Sequence, residues 1–115
     1  MNFQLELSAL ETIRSLQRSG KPDILARLVN IYLDKTPDLI ADIEAGVSAN
    51  DADRVQLAAH TLKSSSAYLG AKSLAQQCEK LEQSAASNDL SGAGNYVKTI
   101  NVGFQSVSDQ IQKYS

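Results

Sequence analysis

The stretch AAHTLKSSSAYLGAKSLAQQCEKLE, residues 58–82, decides the fold, because two amphipathic segments meet there at a single glycine. On both sides of Gly70, apolar residues recur at intervals of three and four, which is typical of helices with one buried face. Glycine suits the left-handed position after a helix, and a short connection favours antiparallel neighbours. The stretch therefore predicts a pair of antiparallel helices.

The segment before this pair predicts two further helices. Ser8 and Glu11 form a capping-box pattern, which predicts a short first helix running up to Gly20. After Pro22, the apolar positions keep a helical phase through Pro37; they are Ile24, Leu28, Ile31, Leu39, Ile43 and Val47. We expect one long helix kinked at Pro37, with two helices restarting at Thr36 as the alternative.

Capping residues and apolar spacing predict the third, fourth and fifth helices. Either Asn50 or Asp51 can cap the third helix, which is predicted to run to Leu69. The fourth covers residues 71–87 and the fifth residues 93–114; the stripe of the fourth consists of Leu74, Cys78, Leu81 and Ala85. Because no strand-type alternation or internal repeat is present, residues 1–115 are predicted to form a single all-α domain. The expected architecture is an up-and-down antiparallel four-helix bundle with a short additional N-terminal helix.

Composition excludes several classes of function. With 11 basic and 13 acidic residues the formal net charge is −2, so no broad cationic surface is available for nucleic acid. Cys78 is the only cysteine, no apolar run approaches the roughly 20 residues that cross a bilayer, and the N-terminus has no secretory pattern. We therefore expect a cytoplasmic protein without membrane insertion.

His60, the only histidine, is predicted to point outward. The stripe opposite it on the third helix consists of Val55, Ala58, Leu62, Ser65 and Leu69. Lys63 and Ser64 flank the ring one turn away. A neutral imidazole is a competent nucleophile toward phosphorus, and a neighbouring cation would stabilise a phosphoryl group. A solvated histidine on a polar helix face explains the same spacing equally well.

Other candidate reactive sites lack residues that their chemistry requires. Cys78 on an apolar stripe is read as a small buried hydrophobe, and one His with one Cys does not make a zinc site. A serine hydrolase would need an oxyanion hole, whereas Ser64 to Ser66 lie within a helix. No glycine loop for ATP is present. The cluster of Glu79, Lys80 and Glu82 is interpreted as a solvated face.

Residues 58–82 resemble the histidine-containing phosphotransfer (Hpt) domains of multistep phosphorelays. Their signature reads A-H-x-L-K-G-x-x-x-x-x-G, then a leucine, then C-x-x-L-E. The matching residues are His60, Leu62, Lys63, Gly70, Ala71, Leu74, Cys78, Leu81 and Glu82. The upstream stretch IYLDKTPDLIADIEAGVSANDADRV, residues 31–55, is similar to the second helix of the family with its proline.

The resemblance implies a phosphoryl carrier with no kinase or ATPase activity and no cofactor of its own. His60 would be phosphorylated on Nε2 and Lys63 would stabilise the phosphoryl group, which would pass to or from an aspartate of a response-regulator receiver domain. The receiver would supply Mg²⁺, and a hybrid sensor histidine kinase would stand upstream. A monomer is expected.

The docking surface is predicted to surround His60. Its residues are Gln56, Leu57, Ser64, Ala67 and Tyr68, although Leu57 and Tyr68 could instead pack on a neighbouring helix. Ser64 stands where the family usually has glycine, and we hypothesise that it tunes phosphohistidine lifetime or receiver choice. The alternative function is a non-catalytic helical adaptor that binds receiver or kinase domains without transfer.

Overall fold

Five helices and one closing turn account for most of the chain in a computed structural model that describes residues 2–115. The helices are α1 (Leu7–Arg14), α2 (Ile24–Ser48), α3 (Ala52–Tyr68), α4 (Lys72–Ala86) and α5 (Ala93–Ile111), and a 3₁₀ turn follows at Gln112–Tyr114. No strand occurs within these residues, so the predicted all-α class is confirmed. The last helix ends at Ile111 rather than at residue 114.

The helices α2 to α5 form the predicted bundle. α3 packs between α2 and α4, and α5 closes the bundle by packing against α4 and α2. α1 and the 3₁₀ turn pack on α2, which at 25 residues is much longer than α3 with 17. The molecule is correspondingly elongated, at 49 × 25 × 19 Å. None of the helices described could span a bilayer, judged by length and hydropathy.

The second helix is continuous through Pro37, which rules out a restart at Thr36. Its buried face differs from the predicted stripe, since Ile31 is exposed and Ile24, Leu28, Leu39 and Val47 are only partly buried. The buried residues are Leu25, Val29, Tyr32, Thr36, Ile40, Ile43 and Gly46. Of the predicted positions, Ile43 is fully buried and the four partly buried residues pack against the core, so Ile31 alone lies off the buried side. The centre of the buried face is shifted from the predicted stripe because it also includes Tyr32 and Thr36.

The first helix is shorter than predicted and begins earlier. It starts at Leu7 with Glu6 at the N-cap, so Ser8 lies inside the helix and the capping box does not form. Leu16 lies beyond the helix and is exposed. Leu10 and Ile13 alone anchor α1 in the core. α1 therefore has two turns held by two buried side chains, and it ends at Arg14, well before Gly20.

The segment before α1 crosses the bundle and packs on α5. Phe3 is buried directly against Gly103, where a β-carbon would lie 2.6 Å from the ring. The side-chain amide of Gln110 donates to the carbonyl of Phe3 at 3.0 Å and accepts from the N–H of Leu5 at 3.0 Å. Glycine is a poor helix former, but at position 103 of α5 it makes room for an aromatic ring.

Both turns that flank α3 use the same cap, with a left-handed residue after the helix. Asn50 (φ 53°) ends α2 while the carboxylate of Asp51 accepts from the N–H of Arg54, which decides between the two predicted caps in favour of Asp51. Gly70 (φ 88°) ends α3, and the N–H of Ala71 donates to the carbonyl of Ser66 at 2.8 Å. The N–H of Gly70 donates to the carbonyl of Ala67 at 3.1 Å, and these two bonds form the Schellman motif. It turns the chain directly from α3 into α4.

Replacement of Gly70 by alanine should destabilise the fold by about 2 kcal/mol, because an L-residue is strained in the left-handed region. The added β-carbon would also lie 2.5 Å from the carbonyl oxygen of Glu6, whose N–H donates to Gly70. Urea unfolding measures the effect. The matched control is Gly94→Ala in the first turn of α5, where no atom lies within 4 Å and the free energy of unfolding should stay unchanged or rise. Equal stability of Gly70→Ala and the natural chain would contradict the prediction.

Candidate functional site

The candidate site lies where the middle of α3 faces the end of α4. The His60 side chain is 54% exposed, which confirms that it points outward. Lys63 lies one turn later on the same helix and is partly buried. Glu82 reaches the pair from α4 and is only 18% exposed. The site is therefore a surface histidine next to a half-buried ion pair between two helices.

Glu82 bridges the two α3 side chains. Its Oε2 lies 2.8 Å from Nδ1 of His60, and its Oε1 lies 2.7 Å from Nζ of Lys63. Its interpretation as part of a solvated face was wrong. The signal was present in the α4 stripe: Glu82 comes four residues after the buried Cys78 and directly after the buried Leu81, which places it at the edge of α4 that meets α3.

The ion pair shifts the pKa values of both partners in the direction that keeps them charged. The Lys63 ammonium lowers the pKa of Glu82 by more than partial burial raises it, and contact with His60 lowers it further. The Glu82 carboxylate in turn raises the pKa of Lys63 against a smaller opposing effect of desolvation. Near neutral pH the site therefore contains a carboxylate and an ammonium.

This charge state decides which ring nitrogen carries hydrogen. A carboxylate only accepts hydrogen bonds, so the Nδ1 atom that contacts Glu82 must be the donor. In a neutral imidazole the other nitrogen then has the free lone pair. The geometry thus leaves Nε2 of His60 as the nucleophilic atom on an exposed ring.

A buried polar contact holds α3 against α2 below the site. The Tyr32 hydroxyl and Ser66 Oγ are 2.8 Å apart, and both side chains are buried. Burial raises the pKa of Tyr32, so the phenol remains protonated at neutral pH. The sequence placed Ser65 on the core stripe. In the structure Ser66 is buried and Ser65 is only partly buried, because α3 is packed on both sides and its buried face also includes Ala59.

The residues predicted to form the docking surface are mostly accessible. Leu57 is 69% exposed and Tyr68 is 56% exposed, so neither packs on a neighbouring helix. Ser64 and Ala67 are exposed, and Gln56 is half-buried. Ser64 and Ala67 also line a shallow groove of about 350 Å³ between α3 and α4, next to Lys63. Their role in binding remains a prediction.

Cys78 is fully buried on α4, as the apolar stripe predicted. Burial raises the pKa of its thiol to about 12, so the reactive thiolate is not formed near neutral pH. In residues 2–115, no three His, Cys, Asp or Glu side chains are grouped so that they could hold a metal ion. Neither a reactive thiolate nor a metal cluster therefore accompanies the exposed ring of His60 in the part of the chain that the structure describes.

The lowered pKa of Glu82 predicts a stability difference that depends on pH. A carboxylate with a depressed pKa stabilises the fold above its unfolded value, about 4.3, and this contribution is lost as pH falls through the folded pKa. Glu82→Gln should therefore lower Tm at pH 7 but not at pH 2, as measured by thermal denaturation. The control Glu44→Gln alters an exposed residue that makes no ion pair in the described chain. A Tm difference for Glu82→Gln that persists at pH 2 would contradict the role of the charge.

Comparisons with known proteins show the family to which the chain belongs. Residues 27–112 match the model of the Hpt domain family. Histidine-containing phosphotransfer protein 2 of Arabidopsis thaliana is 19% identical over 103 residues, which are 87% of this chain and 66% of that protein. The chain thus spans just under two thirds of the length of this relative.

Two solved structures share the fold. Histidine-containing phosphotransfer protein B (HptB) of Pseudomonas aeruginosa superposes with a TM-score of 0.87 at 23% identity, covering 95% of this chain and 91% of its own. The maize phosphotransfer protein ZmHP2 superposes with a TM-score of 0.81 at 23% identity, covering 93% of this chain and 84% of its own. Since the family match extends over most of the five-helix fold and includes the His60 site, the chain belongs to the Hpt domain family.

Proposed function

We propose that this protein passes a phosphoryl group between His60 and an aspartate of a receiver domain in a two-component phosphorelay. The observation that carries the proposal is the 2.8 Å contact between Nδ1 of His60 and Glu82, which leaves Nε2 as the free nucleophile on an exposed ring. Membership of the Hpt domain family supports the same role.

The transfer step is a displacement at phosphorus. The lone pair of Nε2 attacks the phosphoryl group of the receiver aspartate, the Nε2–P bond forms, and the acyl phosphate P–O bond breaks to release the aspartate carboxylate. The Nδ1 hydrogen stays on the ring, which becomes positively charged as the bond forms. Glu82, in contact with that hydrogen, stabilises the charge and holds the ring in place. In the reverse direction the Nε2–P bond breaks and the aspartate oxygen receives the phosphoryl group.

Lys63 stabilises the phosphoryl oxygens without leaving its ion pair. An ammonium has three N–H donors, and Glu82 Oε1 occupies one side of Nζ at 2.7 Å. The other hydrogens remain for a phosphoryl group on Nε2. Because Lys63 follows His60 by three residues on one helix, its reach matches the position of the transferred group.

The partner supplies what this chain lacks. We place the aspartate and the Mg²⁺ ion, which offsets charge on the transferring phosphoryl group, on the receiver domain, and we place ATP-dependent phosphorylation on a hybrid sensor histidine kinase. The proposed carrier is a cytoplasmic monomer without kinase or ATPase activity of its own. Exposed Leu57 and Tyr68 supply the apolar contacts of a small, transient interface around the ring.

The test uses receiver domains labelled with radioactive phosphate by a small-molecule phosphodonor. On mixing, label should move to this chain, survive alkali and be lost in acid, as expected for a phosphoramidate and opposite to an acyl phosphate. Peptide mapping by mass spectrometry should place it on His60. If receivers bind the chain but never label it, the adaptor function replaces the carrier function. If they neither bind nor label it, both functions are wrong.

Ser64 is expected to influence the rate or the choice of receiver, because its exposed hydroxyl stands one turn from His60 in the place of the usual glycine. The Ser64→Gly variant should change transfer rates by a few-fold, and by different factors for different receivers. Ser108→Gly, a half-buried serine of α5, controls for added glycine in a helix. Equal transfer rates for Ser64→Gly and the natural chain across several receivers would remove this role.

A further inference from the structure

The connection between α1 and α2 encloses a second candidate site with no counterpart in the phosphotransfer chemistry. It forms an open pocket of about 290 Å³. Three apolar side chains form its floor, namely Leu16, Pro22 and Ile24, and Leu16 is 57% exposed. Three cationic side chains complete the lining, namely Arg18, Lys21 and Arg27. The pocket therefore combines an apolar floor with a positively charged rim.

The pocket is held open by the side chain of Gln17. Its Nε2 lies 3.1 Å from the carbonyl oxygen of Arg18 and 2.9 Å from those of Lys21 and Pro22, and its Oε1 accepts from the N–H of Ile24 at 2.7 Å. One amide thus replaces the helical hydrogen bonds that this connection lacks. The backbone that lines the pocket is organised before any ligand arrives, which lowers the cost of binding.

The three cationic side chains of the rim have no ion-pair partner within the described chain. None of Arg18, Lys21 or Arg27 forms an ion pair in residues 2–115, whereas Lys63, Lys72 and Arg54 all do. Residues 14–27 contain four basic residues and one acidic residue in a protein whose net charge is −2. This end of the molecule is therefore positively charged, although the protein as a whole has a negative net charge, and it attracts anionic groups.

The pocket is remote from His60. Tyr32 of α2 and Ser66 of α3 are in contact and mark the same level of the bundle. Ile24 lies about 12 Å from that level in one direction, and His60 lies about 9 Å from it in the other, since a helix rises about 1.5 Å per residue and the two helices are antiparallel. A separation of roughly 20 Å along the axis lets both sites be occupied together.

We propose that this pocket binds an acidic peptide segment of a partner protein, with an apolar side chain seated on Leu16 and Ile24 and carboxylates facing the cationic rim. A concave floor of this size fits one or two aliphatic side chains. A short peptide can lie within the pocket and its cationic rim, whereas an anionic membrane is a broad surface that would also meet Asp23 and Asp34 further along α2 and be repelled by them. Such a contact would keep a partner bound while receivers exchange at His60.

The test measures fluorescence anisotropy with a labelled probe peptide in which two leucines are flanked by aspartates. The natural chain should bind it, and binding should weaken as salt is added. Arg18→Glu with Arg27→Glu should weaken binding about tenfold or more, because two attractive contacts become repulsive. Leu16→Ser should weaken it by a smaller factor. Circular dichroism should be unchanged, and phosphotransfer at His60 should proceed at the natural rate, so this test succeeds or fails independently of the proposed function.

Matched controls separate the pocket from general charge effects. Lys35→Glu with Lys98→Glu makes the same change in net charge on exposed lysines elsewhere and should leave peptide binding within about twofold. A peptide with serines in place of the leucines should bind at least several-fold more weakly. The proposal is overturned if the probe does not bind, if the serine peptide binds equally well, or if both double variants lose binding alike. It is also overturned if anionic phosphatidylserine vesicles bind at the pocket and the peptide does not.

Discussion

His60→Gln should abolish labelling of this chain by phosphorylated receivers. Glutamine is close in size and polar, and its side-chain N–H can still meet Glu82, but its amide nitrogen has no nucleophilic lone pair. The ring is 54% exposed, so the substitution should change the free energy of unfolding by no more than about 0.5 kcal/mol. Autoradiography after mixing with labelled receiver measures the loss directly.

Receiver affinity distinguishes loss of chemistry from loss of docking. Titration calorimetry should give a Kd for His60→Gln within a few-fold of the natural value, because Leu57 and Tyr68 carry most of the exposed apolar surface near the ring. Leu57→Ser provides the opposite control, with weaker binding and an intact histidine. Label that remains on the His60→Gln chain would show that another residue accepts the phosphoryl group and would contradict the assignment.

Several features were predictable because they depend on local sequence. The left-handed cap at Gly70 and the burial of Cys78 follow from residue type and helical spacing, and the same signals limit the cap of α3 to Asn50 or Asp51. The outward direction of His60 follows from the stripe on the opposite face of α3. These signals extend over a few turns of helix, so they were correct without knowledge of what packs against the helix.

Other features depend on contacts between distant parts of the chain. The contact between Tyr32 and Ser66 explains why the buried face of α2 is shifted from the predicted stripe and why Ser66, rather than Ser65, is buried. Polar residues that contact each other can lie in the core. The burial of Phe3 on Gly103 joins residues that are 100 positions apart. Spacing within one helix does not contain this information. For Glu82, spacing indicates the edge of α4 that meets α3, but its contacts with His60 and Lys63 depend on how the two helices pack.

The contact between Glu82 and His60 has a testable consequence for function. Glu82→Ala should slow transfer from a phosphorylated receiver about 10- to 100-fold. Residues that orient a reactive histidine through its second nitrogen have effects of this size or larger. Without the carboxylate, the ring hydrogen distributes between Nδ1 and Nε2, the ring can turn, and the positive charge that develops during attack loses its counter-charge. Rapid-quench kinetics measures the rate, and the Kd for the receiver should stay within a few-fold, because Glu82 is 18% exposed.

Two further variants distinguish orientation from charge. Glu82→Gln keeps an oxygen that can accept from Nδ1, so it should retain more activity than Glu82→Ala if orientation is the larger part of the effect. Lys63→Ala removes the other partner of the carboxylate, at 2.7 Å. Because one carboxylate serves both side chains, the losses of Lys63→Ala and Glu82→Ala should be non-additive in the double variant, as is typical of residues that act as a unit. Strictly additive losses, or a Glu82→Ala chain that transfers at the natural rate, would show that His60 reacts without the help of the residue that contacts its Nδ1 atom.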